Sequence, residues 1–282
     1  MRWIKEVSGK SETQIIRDLK DYIPDVDTLV EQDISRYTNT STLPKDSINL
    51  SDSQQLSFYR NNDVMRSAQL LIKNRRLDTA VNRCDMYISL TDPVHKNRLI
   101  IPFKNERGEI EFYQSRTVLD RDNKTKPKYL GKVGAEKTLF NIDKIDYQHD
   151  TVYIFEGPIN AFFTKNSLAV AGITERGKSF TERQAQQLDT SLRFHDRIWV
   201  LDSQWIDRAS LIKTEALLKQ GEQVFIWPEK YGVRFKDFND IVLEFNLDEI
   251  GQGFIHDNTY TNLEGIVKLT QIKQYANRGQ QQ

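Results

Sequence analysis

The sequence predicts an α/β fold: a parallel sheet with helices on both faces, preceded by a smaller basic α+β subdomain. Three observations predict it. From residue 151, short apolar runs rich in β-branched and aromatic residues alternate with helix-type segments, the signature of βα units. Those runs are continuously apolar, as strands buried on both faces must be. Ahead of them, shorter strand-type runs are followed by a concentration of basic residues, which sets that region apart.

In the second half, TVYIF (151–155) is the first strand, and NAFFTKN is read as a short helix after it. SLAVAGI is the second strand. SFTERQAQQLDTSL follows as a helix, with Ser179 and, three residues on, Glu182 forming a capping box. RIWVLDS is the third strand. DRASLIKTEALLKQG is a helix with Asp207 at its N-cap and Gly221 at C′. EQVFIW is the fourth strand, and residues 260–275 suit a C-terminal helix. In the first half, MYISL, RLIIPF and EIEFYQSRTV are strand-type runs, the last two joined by the turn NERG. DVMRSAQLLIKNRR (63–76) and the stretch around TQIIRDLKDYI are helical. Residues 35–55, rich in Ser, Thr, Asn and Asp, suit a loop or linker, because those side chains compete for the backbone. The implied segments are 1–55 (helix and linker), 56–149 (basic α+β), 150–245 (parallel sheet) and 246–282 (C-terminal helix).

Composition excludes several classes. Of 282 residues, 38% are hydrophobic and 28% charged, as in a soluble globular protein. No apolar run reaches membrane-spanning length, and MRWIKEVSGK lacks the apolar core of a signal peptide. No membrane association and a cytoplasmic location (the host cytoplasm, were the chain phage-encoded) are therefore expected. Cys84 is the one cysteine, and the four histidines are dispersed, so an internal disulfide and a Cys-based zinc site are both excluded. As a lone thiol, Cys84 is expected to be buried, not reactive. Basic and acidic residues balance at 40 each, so any nucleic-acid signal must be local. The Gly-Lys-Ser of AVAGITERGKS lacks phosphate-loop spacing. Trp3, Trp199, Trp205 and Trp227 share no spacing and suit core or rim.

Two predicted strands run directly into a carboxylate: VYIF into Glu156-Gly157-Pro158, and IWVL into Asp202-Ser203-Gln204. Ligands of open α/β sheets bind beyond the carboxyl ends of the strands, so Glu156 and Asp202 are expected to converge. Paired carboxylates there suit a hard divalent cation that keeps waters and phosphates in its shell. Gly157 permits close backbone approach, and Pro158 suits the first turn of a helix. Lys236-Asp237-Phe238-Asn239-Asp240 places a further acidic cluster at the same edge. Either carboxylate alone reads first as an ordinary βα turn, and the pair together with the third acidic cluster favours a site. The second element is Arg116–Lys137, with seven basic residues against three acidic, an excess of four, and Tyr129 beside Lys128. Basic side chains with an aromatic suit a polyphosphate or a single-stranded backbone with a stacked base. DRDNKTKPK also reads as a solvated hairpin turn.

VYIFEGPINAFF, RIWVLDS and KDFND in this order resemble the TOPRIM core. With RLIIPF, KPKYLG…KTLF and the IGQGF ending, residues 84–275 resemble the primases of T-even-type tailed phages. KPKYL…LF is also similar to a stretch of bacterial replicative primases. The resemblance implies primer synthesis on a single-stranded DNA template from ribonucleoside triphosphates, with Mg²⁺ or Mn²⁺, alongside a replicative helicase. It implies metal binding and catalysis by Glu156 and Asp202. It implies nucleotide or nucleic-acid contacts by Arg116, Lys126, Lys128, Tyr129 and Lys236, with Asp237 and Asp240 as weaker acidic candidates. The second acid of the Asp-x-Asp motif falls on Gln204, a departure; Asp207, five residues past Asp202, either replaces it as a metal ligand or is only an N-cap. The Cys-based zinc module of such primases cannot be built from this sequence, so it is expected on a separate component, lost, or outside the sequence. Two rival readings share these residues: a TOPRIM nuclease, and a non-catalytic nucleic-acid-binding module whose metal site has decayed at Gln204.

Overall fold

Two five-stranded sheets organise the residues described by the computed structural model, which are 43–119, 126–172 and 180–279. The helix expected around TQIIRDLKDYI, Trp3, Ser179 and the Gly-Lys-Ser run lie outside the described residues. Residues 42–132 and 136–282 pack as one unit, which holds both sheets.

The first sheet is antiparallel throughout, in sequence order: β1 (Ile48–Asn49), β2 (Tyr87–Ser89), β3 (Arg98–Lys104), β4 (Ile110–Thr117) and β5 (Tyr129–Gly131). β3 and β4 form its centre, paired from Arg98↔Thr117 to Phe103↔Phe112, with a register shift at Phe103/Lys104 next to the turn. Helices α1 (Ser53–Phe58) and α2 (Asp63–Asn74) connect β1 to the rest, capped by Asp52 and Asn62. β1 corrects the expectation of a plain linker over residues 35–55. A two-residue strand has no periodicity to betray it; Ile48 is recruited by its partner Ile88.

The second sheet has the order β10-β9-β8-β6-β7. β6 (Thr151–Phe155), β7 (Ser167–Ala169), β8 (Asp196–Val200) and β9 (Gln223–Phe225) are parallel, as expected. β10 (Thr259–Tyr260) adds an antiparallel edge, so the C-terminal helix starts later, at Asn262, and runs to Gly279. Alternate residues of each strand enter opposite faces. Val152, Ile154, Trp199, Leu201, Val224 and Ile226 join an aliphatic core under the helices Glu182–Asp189, Arg208–Lys219 and Asn262–Gly279. Phe155, Phe225 and Trp227 face the other way and stack edge-on around Phe238. That continuous double-sided burial explains why these strands read as unbroken apolar runs.

Two local expectations are corrected. The helix after β6 is not NAFFTKN but Pro158–Ala161, with Pro158 in its first turn and Gly157 as N-cap. The capping box of the next helix is Thr181/Gln184, two residues beyond the expected Ser179/Glu182. Both pairs satisfy the same motif spacing; Thr181 wins because its hydroxyl also donates to the Lys137 carbonyl at 2.6 Å. Trp199 and Trp227 are core and Trp205 is half-buried, its indole donating to the Trp227 carbonyl. Among the described residues, no helix is long and apolar enough to cross a membrane.

Candidate active-site cleft

The carboxyl ends of β6 and β8 open into a cleft of about 520 Å³, bounded on the other side by β4 and β5 of the antiparallel sheet. Glu156, Gly157, Asn160, Asp202, Lys236, Asp237 and Asp240 form one wall; Arg75, Gln114, Arg116, Lys128 and Tyr129 form the other. Of the residues singled out in the sequence, Glu156, Asp202, Arg116, Lys128, Tyr129, Lys236, Asp237 and Asp240 are thus brought together. Lys126 is exposed and lies outside the lining.

The acidic wall is under electrostatic tension. The Asp202 carboxyl is pushed up to about 7, first by burial and then by the neighbouring negative charges of Asp237, Glu156 and Asp207, against the pull of Lys236. Asp237 is also raised, by burial and by Asp240. Asp237 meanwhile caps the helix Phe238–Phe245, accepting the Asp240 N–H at 3.0 Å, and Asp240 accepts the Lys236 N–H. The Lys236 ammonium lies 3.3 Å from Asp207 and 4.0 Å from Asp202; burial would lower its pKa, but these carboxylates raise it. Asn160 donates to Asp202 at 3.4 Å and accepts the backbone N–H of Asn239 at 3.3 Å. Glu156 accepts a 2.6 Å bond from Lys213.

Asp207 and Gln204 hold different posts. Asp207 caps the helix Arg208–Lys219, accepting from Ala209 and Ser210, and its second oxygen faces Lys236. Gln204 is 2% exposed and donates to Thr214 and to the Phe225 carbonyl while accepting the Trp227 N–H. It ties the end of β8 to the end of β9 and is not in the cleft lining.

The basic wall is fastened from below. Arg98, buried in β3, donates to the Ser115 hydroxyl and to the carbonyls of Pro127 and Lys128, so the segment entering β5 is held by its main chain. Arg116 is buried and donates to the Tyr129 hydroxyl at 2.6 Å, its guanidinium 5.3 Å from the ring centroid. Burial lowers its pKa. Lys128 is lowered by burial and by the positive charges of Arg116, Arg75 and Lys236. Positive charge that is crowded and desolvated favours an anionic ligand. Arg75, Gln114 and Asn160 were not legible in advance. Asn160 lies in the short helix that follows Glu156. Arg75 closes α2 and donates to Asn239, 164 positions away, which no local pattern encodes.

Among the described residues, no three His, Cys, Asp or Glu side chains gather into a ready-made metal cage. The oxygen donors and excess negative charge still fit a Mg²⁺-like ion, which takes one or two protein carboxylates and completes its shell with water and phosphate.

No family model matches the chain. The chain is 26% identical over 174 residues to the DNA primase of Enterobacteria phage T4, covering 57% of this chain and 46% of that protein, so it spans about half the length of this curated relative. Among solved structures, it is similar to the Aquifex aeolicus primase zinc-binding and RNA polymerase domains, with 20% identity, a TM-score of 0.44, and coverage of 86% of this chain and 61% of that one. The RNA polymerase domain of Mycobacterium tuberculosis primase DnaG gives 16% identity, a TM-score of 0.43, and coverage of 73% and 65%. The resemblance in sequence is to a DNA primase of the T4 type.

Proposed function

We propose that the chain is a metal-dependent nucleotidyltransferase that makes short RNA primers on single-stranded DNA for phage DNA replication. One observation carries the reading: the strand-end carboxylates Glu156 and Asp202 share a cleft with Arg116, Lys128 and Tyr129. In this reading the 3′-OH of the growing primer attacks the α-phosphate of an incoming ribonucleotide, and pyrophosphate leaves. Glu156 and Asp202 would hold Mg²⁺ or Mn²⁺, which when bound would supply neutralisation of charge on the reacting phosphates. Arg116 and Lys128 receive the phosphates, and Tyr129, braced by Arg116, offers a ring edge or face to a base. Lys236 balances the acidic wall. A replicative helicase and a zinc-bearing component are the partners this activity calls for.

The reading of a decayed metal site rested on Gln204, and that amide instead joins β8 to β9. The test is ribonucleotide incorporation on a single-stranded template with Mg²⁺ or Mn²⁺, beside a Glu156→Gln control. We expect synthesis by the wild-type chain and its loss in a Glu156→Gln protein of unchanged fold by circular dichroism. Near-normal synthesis by the folded variant would sink the assignment of Glu156. DNA cleavage in Mg²⁺ without nucleotides, and no incorporation, would point to a nuclease.

A further inference from the structure

Lys213 is an anomaly of its helix. Its neighbours on the inward face of Arg208–Lys219 are Ser210, Leu211, Thr214, Leu217 and Leu218, all buried, yet position 213 carries an ammonium. Its side chain is 11% exposed, and Glu156 is its ion-pair partner among the described residues, at 2.6 Å. An ion pair so placed is weak evidence for a role in stability, because well-packed apolar residues serve a helix–sheet contact at least as well. The pair is also asymmetric. Lys213 engages Glu156 Oε1 only, no described residue donates to Oε2, and Glu156 lines the cleft. The helix bearing Lys213 is itself anchored beside the site, since Asp207 caps it and faces Lys236.

We infer that Lys213 is a positioning residue for Glu156: it holds one carboxylate oxygen and thereby presents the other to the cleft. This rests on the reading of Glu156 as a metal ligand. Fixing a ligand through a neighbour outside the metal's own shell typically contributes 10- to 100-fold in metal affinity. It does so by removing the freedom a long acidic side chain would otherwise lose on binding. The ammonium stays with Oε1 throughout, so no step of the reaction passes through Lys213.

The test measures Mn²⁺ binding to the full chain without nucleotide, by electron paramagnetic resonance of the free ion. Wild type, Lys213→Met, Lys213→Arg, Glu156→Gln and the Glu156→Gln/Lys213→Met double variant are compared. Lys213→Met should weaken Mn²⁺ binding by roughly tenfold. Lys213→Arg should restore it to within about threefold, because guanidinium also donates to a carboxylate. In the Glu156→Gln background, Lys213→Met should change nothing further, an outcome a merely structural lysine would not produce. Wild-type or tighter Mn²⁺ binding by a folded Lys213→Met protein overturns the inference. So does an undiminished effect of Lys213→Met in the double variant. Should Lys213→Met not fold, Lys213→Gln replaces it under the same criteria. A Glu156→Gln variant that binds Mn²⁺ like wild type identifies the failure as that of the metal reading itself, and the inference falls with it.

Discussion

Asp202 is a residue whose environment departs far from its ordinary one. Its carboxyl stands near 7 against an ordinary 3.8, because burial and then Asp237, Glu156 and Asp207 oppose its charge. The sign of the stability effect follows. Between pH 4 and pH 7 the folded chain keeps a proton that the unfolded chain has released, so stability falls as pH rises through that window and levels above it. Asp202→Asn removes the penalty. In the presence of EDTA, the variant should match wild type near pH 4 and exceed it at pH 8 by on the order of 2–4 kcal/mol. Urea denaturation at both pH values measures this; equal stability at pH 8 would show that Asp202 is not strained. The strain has a functional reading, because a site that resists its own charge is relieved by a bound cation. The two strand-end carboxylates were legible in the sequence because each follows an unbroken apolar strand. Arg75 was not, because its place in the cleft depends on a contact with Asn239 across most of the chain.

At the scale of elements, Gln204 shows how a motif position can be reassigned by packing. The amide satisfies the Phe225 carbonyl, the Trp227 N–H and the Thr214 hydroxyl, joining the ends of β8 and β9 to the helix between them. Gln204→Glu, the change that restores an acid at this position, would bury a charge against a carbonyl. It should cost about 2–4 kcal/mol of stability by denaturant midpoint. It should leave the Mg²⁺ requirement unchanged, since the side chain is not in the cleft lining. A lower Mg²⁺ requirement at undiminished stability would place residue 204 at the metal after all. The capping box teaches a related lesson. Ser179…Glu182 and Thr181…Gln184 are equivalent as patterns, and the Lys137 carbonyl, supplied from elsewhere in the chain, is bonded by Thr181. β1 and β10 escaped prediction for the complementary reason: two residues carry no period, and each strand exists because a neighbour offers it an edge.

On the scale of the whole molecule, a chain of zero net charge gathers a few of its basic side chains around one cleft. Arg75, Arg116 and Lys128 face a cleft whose opposite wall is acidic, so the field changes sign across a few side chains. In the proposed reading, attraction for a single strand should depend on few contacts. Lys128→Glu should weaken binding of a single-stranded oligonucleotide and reduce the log–log salt slope by about 0.7, the share of one phosphate contact. Lys126→Glu, outside the lining, should change the slope less. Fluorescence anisotropy across a salt series distinguishes them, and a wild-type slope in Lys128→Glu would show the segment to be a solvated turn. The local charge excess was legible; which of its lysines faces the cleft was not, because that depends on how β5 pairs with β4.

The hold of Arg98 on the Pro127 and Lys128 carbonyls bears on how freely this part of the sequence can diverge. A loop held by its own side chains loses its shape when they change. Here the fastening is to carbonyl oxygens, which every residue possesses, and its donor is buried in β3. The identities at positions 127 and 128 can drift between related chains while the main chain there keeps its course. The ordering entropy of these two residues is lost at folding, so a ligand arriving later meets them already set. In the proposed reading, variation in which nucleic acid is preferred becomes accessible by single substitutions, with the scaffold beneath them unchanged.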